Sequence, residues 1–255
     1  MDKQLVNGFL DCVRRAGELI LLQWNDAKEV RFKGSIDLVT QTDLAVEALL
    51  KRELVELLPG SSVLAEESHT SLTPGDLTWI IDPVDGTTNY AHGLPHVAVS
   101  VGLWQGGQVV LSAVFIPVLN ELFWAVRGQG AFLNGTPIAV SQQQDMGQSL
   151  IATGFPYSFH SEVDVICARL KRVLLASQGI RRLGSAAIDL AYTACGRFEG
   201  YYETGLKPWD IAAGWLLVEE AGGQVSGIEG SAYNLDEHVI VASNARIHDQ
   251  LLSLL

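Results

Sequence analysis

The apolar residues of this chain change their spacing twice, and that restricts its fold more than any single motif does. Leu5, Phe9, Val13, Ala16 and Ile20 recur at helical intervals over residues 5–24, which predicts one apolar helix face. Val46, Leu49, Leu50, Leu54 and Leu57 repeat the pattern over 43–58, where Pro59-Gly60 stops the helix. From Leu77 the period shortens. Apolar runs at 77–81, 97–104, 109–115 and 122–126 are separated by Gln105-Gly106-Gly107 and by 117–120, the spacing of an antiparallel meander. Asn134-Gly135 adds a tight turn. Further on, strands at 150–152, 180–183, 198–203 and 239–242 alternate with helices at 162–176, 185–195 and 210–221, and the tail is helical. That alternation predicts a layered α/β half. The break at 141–147 divides a single unit, 1–255, into an α+β half of about 1–145 and an α/β half of about 146–255.

The formal net charge of −12 argues against a nucleic-acid or membrane partner, which would favour clustered Lys and Arg. An anionic substrate stays compatible if cations reverse the sign locally. Cys12, Cys167 and Cys195 are far apart and form no metal-binding pair. Cys12 and Cys195 fall in apolar helical stretches, so buried thiols are expected, in keeping with a reducing cytoplasm. No apolar run reaches the roughly 20 residues of a membrane span, and no signal peptide is visible.

Chemistry concentrates where an apolar run ends on acid, in Trp79-Ile80-Ile81-Asp82-Pro83-Val84-Asp85-Gly86-Thr87-Thr88-Asn89. Pro83 holds Asp82 extended, and Gly86 lets the backbone bend sharply. Two carboxylates around such a turn can converge, with the Val84 carbonyl between them. Hard oxygen donors on irregular backbone suit Mg²⁺. The amides of Gly86, Thr87 and Thr88 make an anion site if they begin a helix. Taken alone, the stretch reads as an ordinary β-turn. Likewise Glu66-Glu67, after Val63-Leu64-Ala65, reads as a solvated strand end, and Thr42, Asp43 and Asp210 read as helix caps.

Taken together, the stretches say more. Glu66-Glu67-Ser68, Asp82-Pro83-Val84-Asp85-Gly86-Thr87-Thr88-Asn89 and Trp209-Asp210-Ile211-Ala212-Ala213-Gly214 resemble, in order, the motifs of inositol monophosphatases. Asp37-Leu38-Val39-Thr40-Gln41-Thr42-Asp43 and Gly184-Ser185-Ala186-Ala187 extend the likeness, which runs from about residue 16 to 242 and leans to the bacterial branch. The resemblance implies a layered αβαβα sandwich of the inositol monophosphatase and fructose-1,6-bisphosphatase type. It implies one metal at Glu66, Asp82 and the Val84 carbonyl, a second at Asp82, Asp85 and Asp210, and a weaker third shared by Glu66 and waters. It assigns phosphate to the amides of Gly86 and Thr87 and sets Lys33 near the phosphate end. Asp43, Thr87 and Glu66 become the catalytic group, the Asp43–Thr87 pair orienting or activating water. Polyol hydroxyls fall to Asp85, Gly184, Ser185, Ala186, Glu203 and Asp210.

Four gathered carboxylates repel one another and raise each other's pKa. Two or three Mg²⁺ ions would reverse that field and stabilise the attacking and leaving oxygens of an in-line displacement. The expected reaction is hydrolysis of a phosphate monoester, foremost myo-inositol 1-phosphate, by metal-activated water. Relatives acting on fructose 1,6-bisphosphate, histidinol phosphate or 3′-phosphoadenosine nucleotides would share the metal loop. Specificity is expected around Glu203, Lys207, Ser185 and residues 157–161, where a lone Lys207 favours a monophosphate. A regulatory protein-binding role is the reading from another class. A homodimer and inhibition by Li⁺ are implied as well. Two departures from the family pattern are Lys207, beside Glu203, and Ala65, where Gly is frequent. Arg181-Arg182 read as residues for a subunit contact, and residues 33–39 as a mobile segment.

Overall fold

The computed structural model of the chain describes residues 1–26, 30–32, 38–156 and 159–255. Lys33, most of the 33–39 segment, and residues 157 and 158 of the expected specificity loop lie outside the described residues.

Helix α1 (Lys3–Leu22) is capped by Asp2, whose side chain accepts from the Gln4 amide. Phe9, Val13, Ala16 and Ile20 are fully buried, on the face their spacing predicts. A short antiparallel ribbon, β1 (Val30–Phe32) and β2 (Leu38–Thr40), leads into α2 (Gln41–Leu57). A seven-stranded sheet follows in strict chain order: β3 (Ser62–Ala65), β4 (Leu77–Asp85), then, after the five-residue α3 (Thr87–Ala91), β5 (Ala98–Gln105), β6 (Gln108–Ile116), β7 (Glu121–Val126), β8 (Gly130–Leu133) and β9 (Thr136–Ile138). Only β3 and β4 are parallel; the rest is the expected meander. Asn134 and Gly135, at φ 49° and 81°, make the two-residue turn that pairs Leu133 with Thr136.

The second sheet is built from β10 (Leu150–Thr153), α4 (Val163–Ala176), β11 (Gly179–Arg181), α5 (Ala186–Ala194), β12 (Gly200–Thr204), α6 (Pro208–Glu220), β13 (Gln224–Ser226), β14 (Val239–Ser243) and α7 (His248–Leu252). Its strand order is β11-β10-β12-β14-β13. The first three run parallel and β14 opposes both its neighbours. The short β13 was not foreseen from the apolar pattern.

Side-chain alternation along the strands decides the layers. Trp79 and Ile81 of β4 face α1 and α2, where Trp79 stacks on Phe9 at 5.3 Å. Ile80 faces the other way, onto α5 and α6. Those two helices lie between the sheets, and their residues are buried on nearly every side, as expected of internal helices. Gly214 lets them close up, because a Cβ there would sit under 3.0 Å from Leu190. Val173 of α4 and Leu251 of α7 join Ile151 and Val241 on the outer face of the second sheet. The result is a five-layer αβαβα sandwich. All three thiols are free; Cys12 is buried, but Cys195 is only half-buried because it caps the end of α5. No helix among the described residues is long and apolar enough to cross a membrane.

Candidate active site

Strand β4 brings two carboxylates to one place through a bulge. Asp82 pairs with Ser100 and Asp85 with Ala98, so three steps on β4 match two on β5. Positions three apart in a regular strand face opposite sides. The extra residue turns Asp85 back onto the face of Asp82, and both line one cleft. Pro83 sits in the bulge, where its missing N–H costs no ladder bond. The turn expected here is therefore a bulged strand that continues through Asp85. Val84 N donates to Asp82 Oδ1 at 3.0 Å. Gly86 follows at φ 91°, and a Cβ there would come 2.8 Å from the His96 carbonyl oxygen, so conformation and space both demand glycine.

Helix α3 starts at Thr87, whose hydroxyl lies 3.0 Å from Asp43 Oδ1 and 3.0 Å from the Val84 carbonyl. Asp43 stands in the first turn of α2. Its Oδ2 accepts from Thr40 N at 2.9 Å and from the Thr40 hydroxyl, completing a capping box. One oxygen of Asp43 caps the helix while the other faces Thr87. Asp210 does the same in α6, with Oδ2 accepting from Lys207 N at 2.6 Å. Glu66 leaves the end of β3, its amide donating to the Ile81 carbonyl at 3.1 Å. Asp85 Oδ2 accepts from Ser185 Oγ and Ala187 N, both at 2.7 Å, so the Ser185 hydroxyl is committed to orienting Asp85. Asn89 Nδ2 donates to the carbonyls of His96 and Leu183, both at 2.8 Å. This clamp between the two halves was quoted within a motif but given no role.

These residues surround a cleft of about 480 Å³ at the carboxyl ends of β3, β4, β10 and β12, where open α/β sheets place their ligands. Glu66, Asp82, Val84, Asp85, Gly86, Thr87, Gly184, Ser185, Ala186, Glu203 and Asp210 all line it. Asp43 is fully buried behind Thr87. Gly154, Phe155 and Arg182 are among the wall residues that were not foreseen. Arg182, read from sequence as a subunit-contact residue, lies 5.7 Å from the centre of the Phe155 ring. Lys207 is therefore not the lone cation of this wall. His69 packs against Trp209 at 4.6 Å, with Nδ1 2.7 Å from the Glu66 carbonyl.

Burial and mutual repulsion dominate the electrostatics of the cleft, and Arg182 only partly offsets them at Glu203. Burial, then Glu66, Asp85 and Asp210, hold the Asp82 carboxyl well above the usual range. Burial, then Asp85 and Glu66, do the same to Asp210. Burial pushes Asp85 up to about 6 despite its bonds to Ser185 and Ala187. Burial pushes Glu203 up to about 7, although the Tyr201 hydroxyl donates to it at 2.6 Å. Among the described residues, no three His, Cys, Asp or Glu side chains form a finished metal cage. The acids are drawn instead to the amides of Val84, Ala187 and Lys207. The donor set still fits a hard divalent cation: buried carboxylates and a main-chain carbonyl that face one another with their charge uncompensated.

Residues 2–255 match the sequence pattern of the inositol monophosphatase family. The chain belongs to that family. Inositol monophosphatase 1 of Solanum lycopersicum is 38% identical, over 96% of this chain and 92% of its own length. Nus factor SuhB of Escherichia coli (strain K12) is 40% identical, over 98% and 94%. The crystal structure of the extragenic suppressor protein suhB from Bartonella henselae matches the fold with a TM-score of 0.93 at 36% identity, covering 99% of this chain and 98% of that one. As a member of the family, the chain is a phosphatase of a generally metal-dependent group that acts on small phosphorylated substrates.

Proposed function

We propose that this inositol monophosphatase family member hydrolyses the phosphate monoester of a small polyol, foremost myo-inositol 1-phosphate, with Mg²⁺ as cofactor. The observation that carries the reading is the convergence on one cleft of Glu66, Asp82, Asp85 and Asp210, with the Asp43–Thr87 pair at its edge. Glu66, Asp82 and the Val84 carbonyl would hold one ion, and Asp82, Asp85 and Asp210 a second, with Glu66 also serving a weaker third. When bound, the cations neutralise phosphate charge and acidify water.

The chain's own groups do the positioning. The amides of Gly86 and Thr87, orphaned at the start of α3, face the phosphate oxygens. The Thr87 hydroxyl donates toward Asp43 and keeps its lone pairs for the attacking water, which it orients and whose proton it can pass toward Asp43. Ser185 and Ala187 fix Asp85. Glu203 accepts from a polyol hydroxyl, and Lys207 and Arg182 flank the leaving group. Phosphoryl transfer of this kind rests on positioning and charge neutralisation rather than on a covalent nucleophile. A homodimer, sensitivity to Li⁺ and a cytoplasmic setting belong to the same proposal, on family likeness.

The test is phosphate release from inositol 1-phosphate and fructose 1,6-bisphosphate, with Mg²⁺ or EDTA, for the wild type and Asp82→Asn. Mg²⁺-dependent release that favours the monophosphate and disappears in the variant is expected. Release in EDTA, or a preference for the bisphosphate, overturns the reading. The 40% identity to a Nus factor favours a second role, binding a protein partner. That role is supported if the Asp82→Asn chain, inactive on both substrates, still restores the phenotype of a host lacking the gene, and is rejected if only active chains do.

A further inference from the structure

Gly154 occupies a place where its missing side chain is used by another residue. It follows Thr153, the last residue of β10, and Thr153 pairs with Tyr202 of the parallel β12. Gly154 and Glu203 are thus neighbours at the carboxyl ends of adjacent strands. A Cβ on Gly154 would fall at near-equal distances, all well under 3.0 Å, from both carboxylate oxygens and the carboxyl carbon of Glu203. Equal distances mean that the carboxylate lies flat across the glycine. The φ of Gly154 is outside the left-handed region, so the backbone does not require glycine there; the space does. On another side the Tyr201 hydroxyl donates to Glu203 Oε2 at 2.6 Å. Oε1 accepts no hydrogen bond from the described residues, while Glu203 itself lines the cleft.

We propose that Gly154 is a specificity-determining positioning residue: by leaving its side-chain space empty it seats the Glu203 carboxylate against the cleft wall, with Oε1 free to accept from a hydroxylated leaving group. The proposal rests on Glu203 being the polyol contact. Any side chain at position 154 drives the carboxylate off Tyr201 and into the volume of the polyol ring. The displaced group is the end of a flexible side chain, so the fold survives.

The experiment compares kcat/KM for inositol 1-phosphate with kcat/KM for p-nitrophenyl phosphate, whose leaving group carries no other hydroxyl, in Mg²⁺. The variants are Gly154→Ala, Glu203→Ala and the double variant. Gly154→Ala is expected to lower the ratio of the two constants roughly tenfold, mainly through KM, the size of one lost hydrogen bond to a charged acceptor. Added to Glu203→Ala, the same substitution is expected to change the ratio by less than about twofold, because its effect runs through that carboxylate. An equal shift with and without Glu203, or no shift, overturns the proposal. If Glu203→Ala alone leaves the ratio unchanged, the polyol-contact reading falls and this proposal with it. If Glu203→Ala shifts the ratio and Gly154→Ala does not, only this proposal falls. Should Gly154→Ala fail to fold, Tyr201→Phe releases the same carboxylate without adding volume. It must lower the ratio through Glu203 as well, and a Tyr201→Phe enzyme with an unchanged ratio overturns the proposal.

Discussion

At Asp82, four neighbouring carboxylates press on a carboxyl that is almost wholly buried. Function and stability therefore oppose each other at this residue. Asp82→Asn removes the group proposed to serve two cations, and turnover is expected to fall by about a thousandfold or more. In EDTA the same substitution replaces a repelled acid by a neutral amide that can still accept from Val84 N. It is then expected to raise stability by about 1 kcal/mol. Thermal unfolding of both proteins in EDTA and in Mg²⁺ checks this, and a variant less stable than wild type in EDTA would mean that the charge is compensated. Ser112 offers a contrast away from the cleft. It is fully buried on β6, and its hydroxyl has no partner among the described residues. Ser112→Ala is expected to stabilise by about 0.5–1 kcal/mol, since an unpaired buried hydroxyl is unfavourable. A urea midpoint that moves up at constant slope is the readout.

Acids reach the cleft where elements end or break: Glu66 after β3, Asp82 and Asp85 across the bulge, Asp43 and Asp210 in first turns of helices. The joint between β4 and α3 depends on a glycine at positive φ. Gly86→Ala imposes a side chain at φ 91° against the His96 carbonyl oxygen. It is expected to cost about 2 kcal/mol or more and to lower activity at least about a hundredfold, because Asp85 and the Thr87 amide move with the joint. A soluble, fully active variant would show that the joint tolerates a side chain. The same elements explain what could be read in advance. Asp43 and Asp210 were open to two readings, cap or site; the geometry makes each a cap through Oδ2, while Oδ1 of Asp43 meets Thr87 and Asp210 also lines the cleft. Helix and strand periods were legible because burial repeats locally. The bulge was not legible, being a property of β4 read against β5. Nor was the pairing of Gly154 with Glu203, which depends on two strands 49 residues apart in chain becoming neighbours. The place of Arg182 in the cleft wall was not legible for the same reason: it is set by the turn between β11 and α5, not by its own neighbours in sequence.

Across the whole molecule, two sheets and two internal helices close around negative charge in a chain whose formal net charge is already −12. Glu203 sits at about 7 against an ordinary 4.5, and Asp85 at about 6 against 3.8. A carboxyl raised in this way holds its proton more tightly folded than unfolded. Its contribution to stability is complete below the unfolded value and is lost as pH rises through the folded one. For Glu203 that window runs from about 4.5 to about 7, and the contribution is on the order of 3 kcal/mol. Without cations, the unfolding temperature should therefore fall between about pH 5 and pH 8, the opposite of the acid instability expected of ion-paired carboxylates. Mg²⁺ binding the folded, ionised acids should lift the upper end of that profile by mass action. Glu203→Gln should remove only the Glu203 share of the slope in EDTA. It should leave the lift by Mg²⁺ in place, since Glu203 is not among the proposed ligands. The decisive comparison is thermal unfolding against pH for both proteins, in EDTA and in Mg²⁺. A flat EDTA profile would mean that the cleft is not short of positive charge. A lift abolished by Glu203→Gln would move that residue from the polyol end of the cleft to the cations.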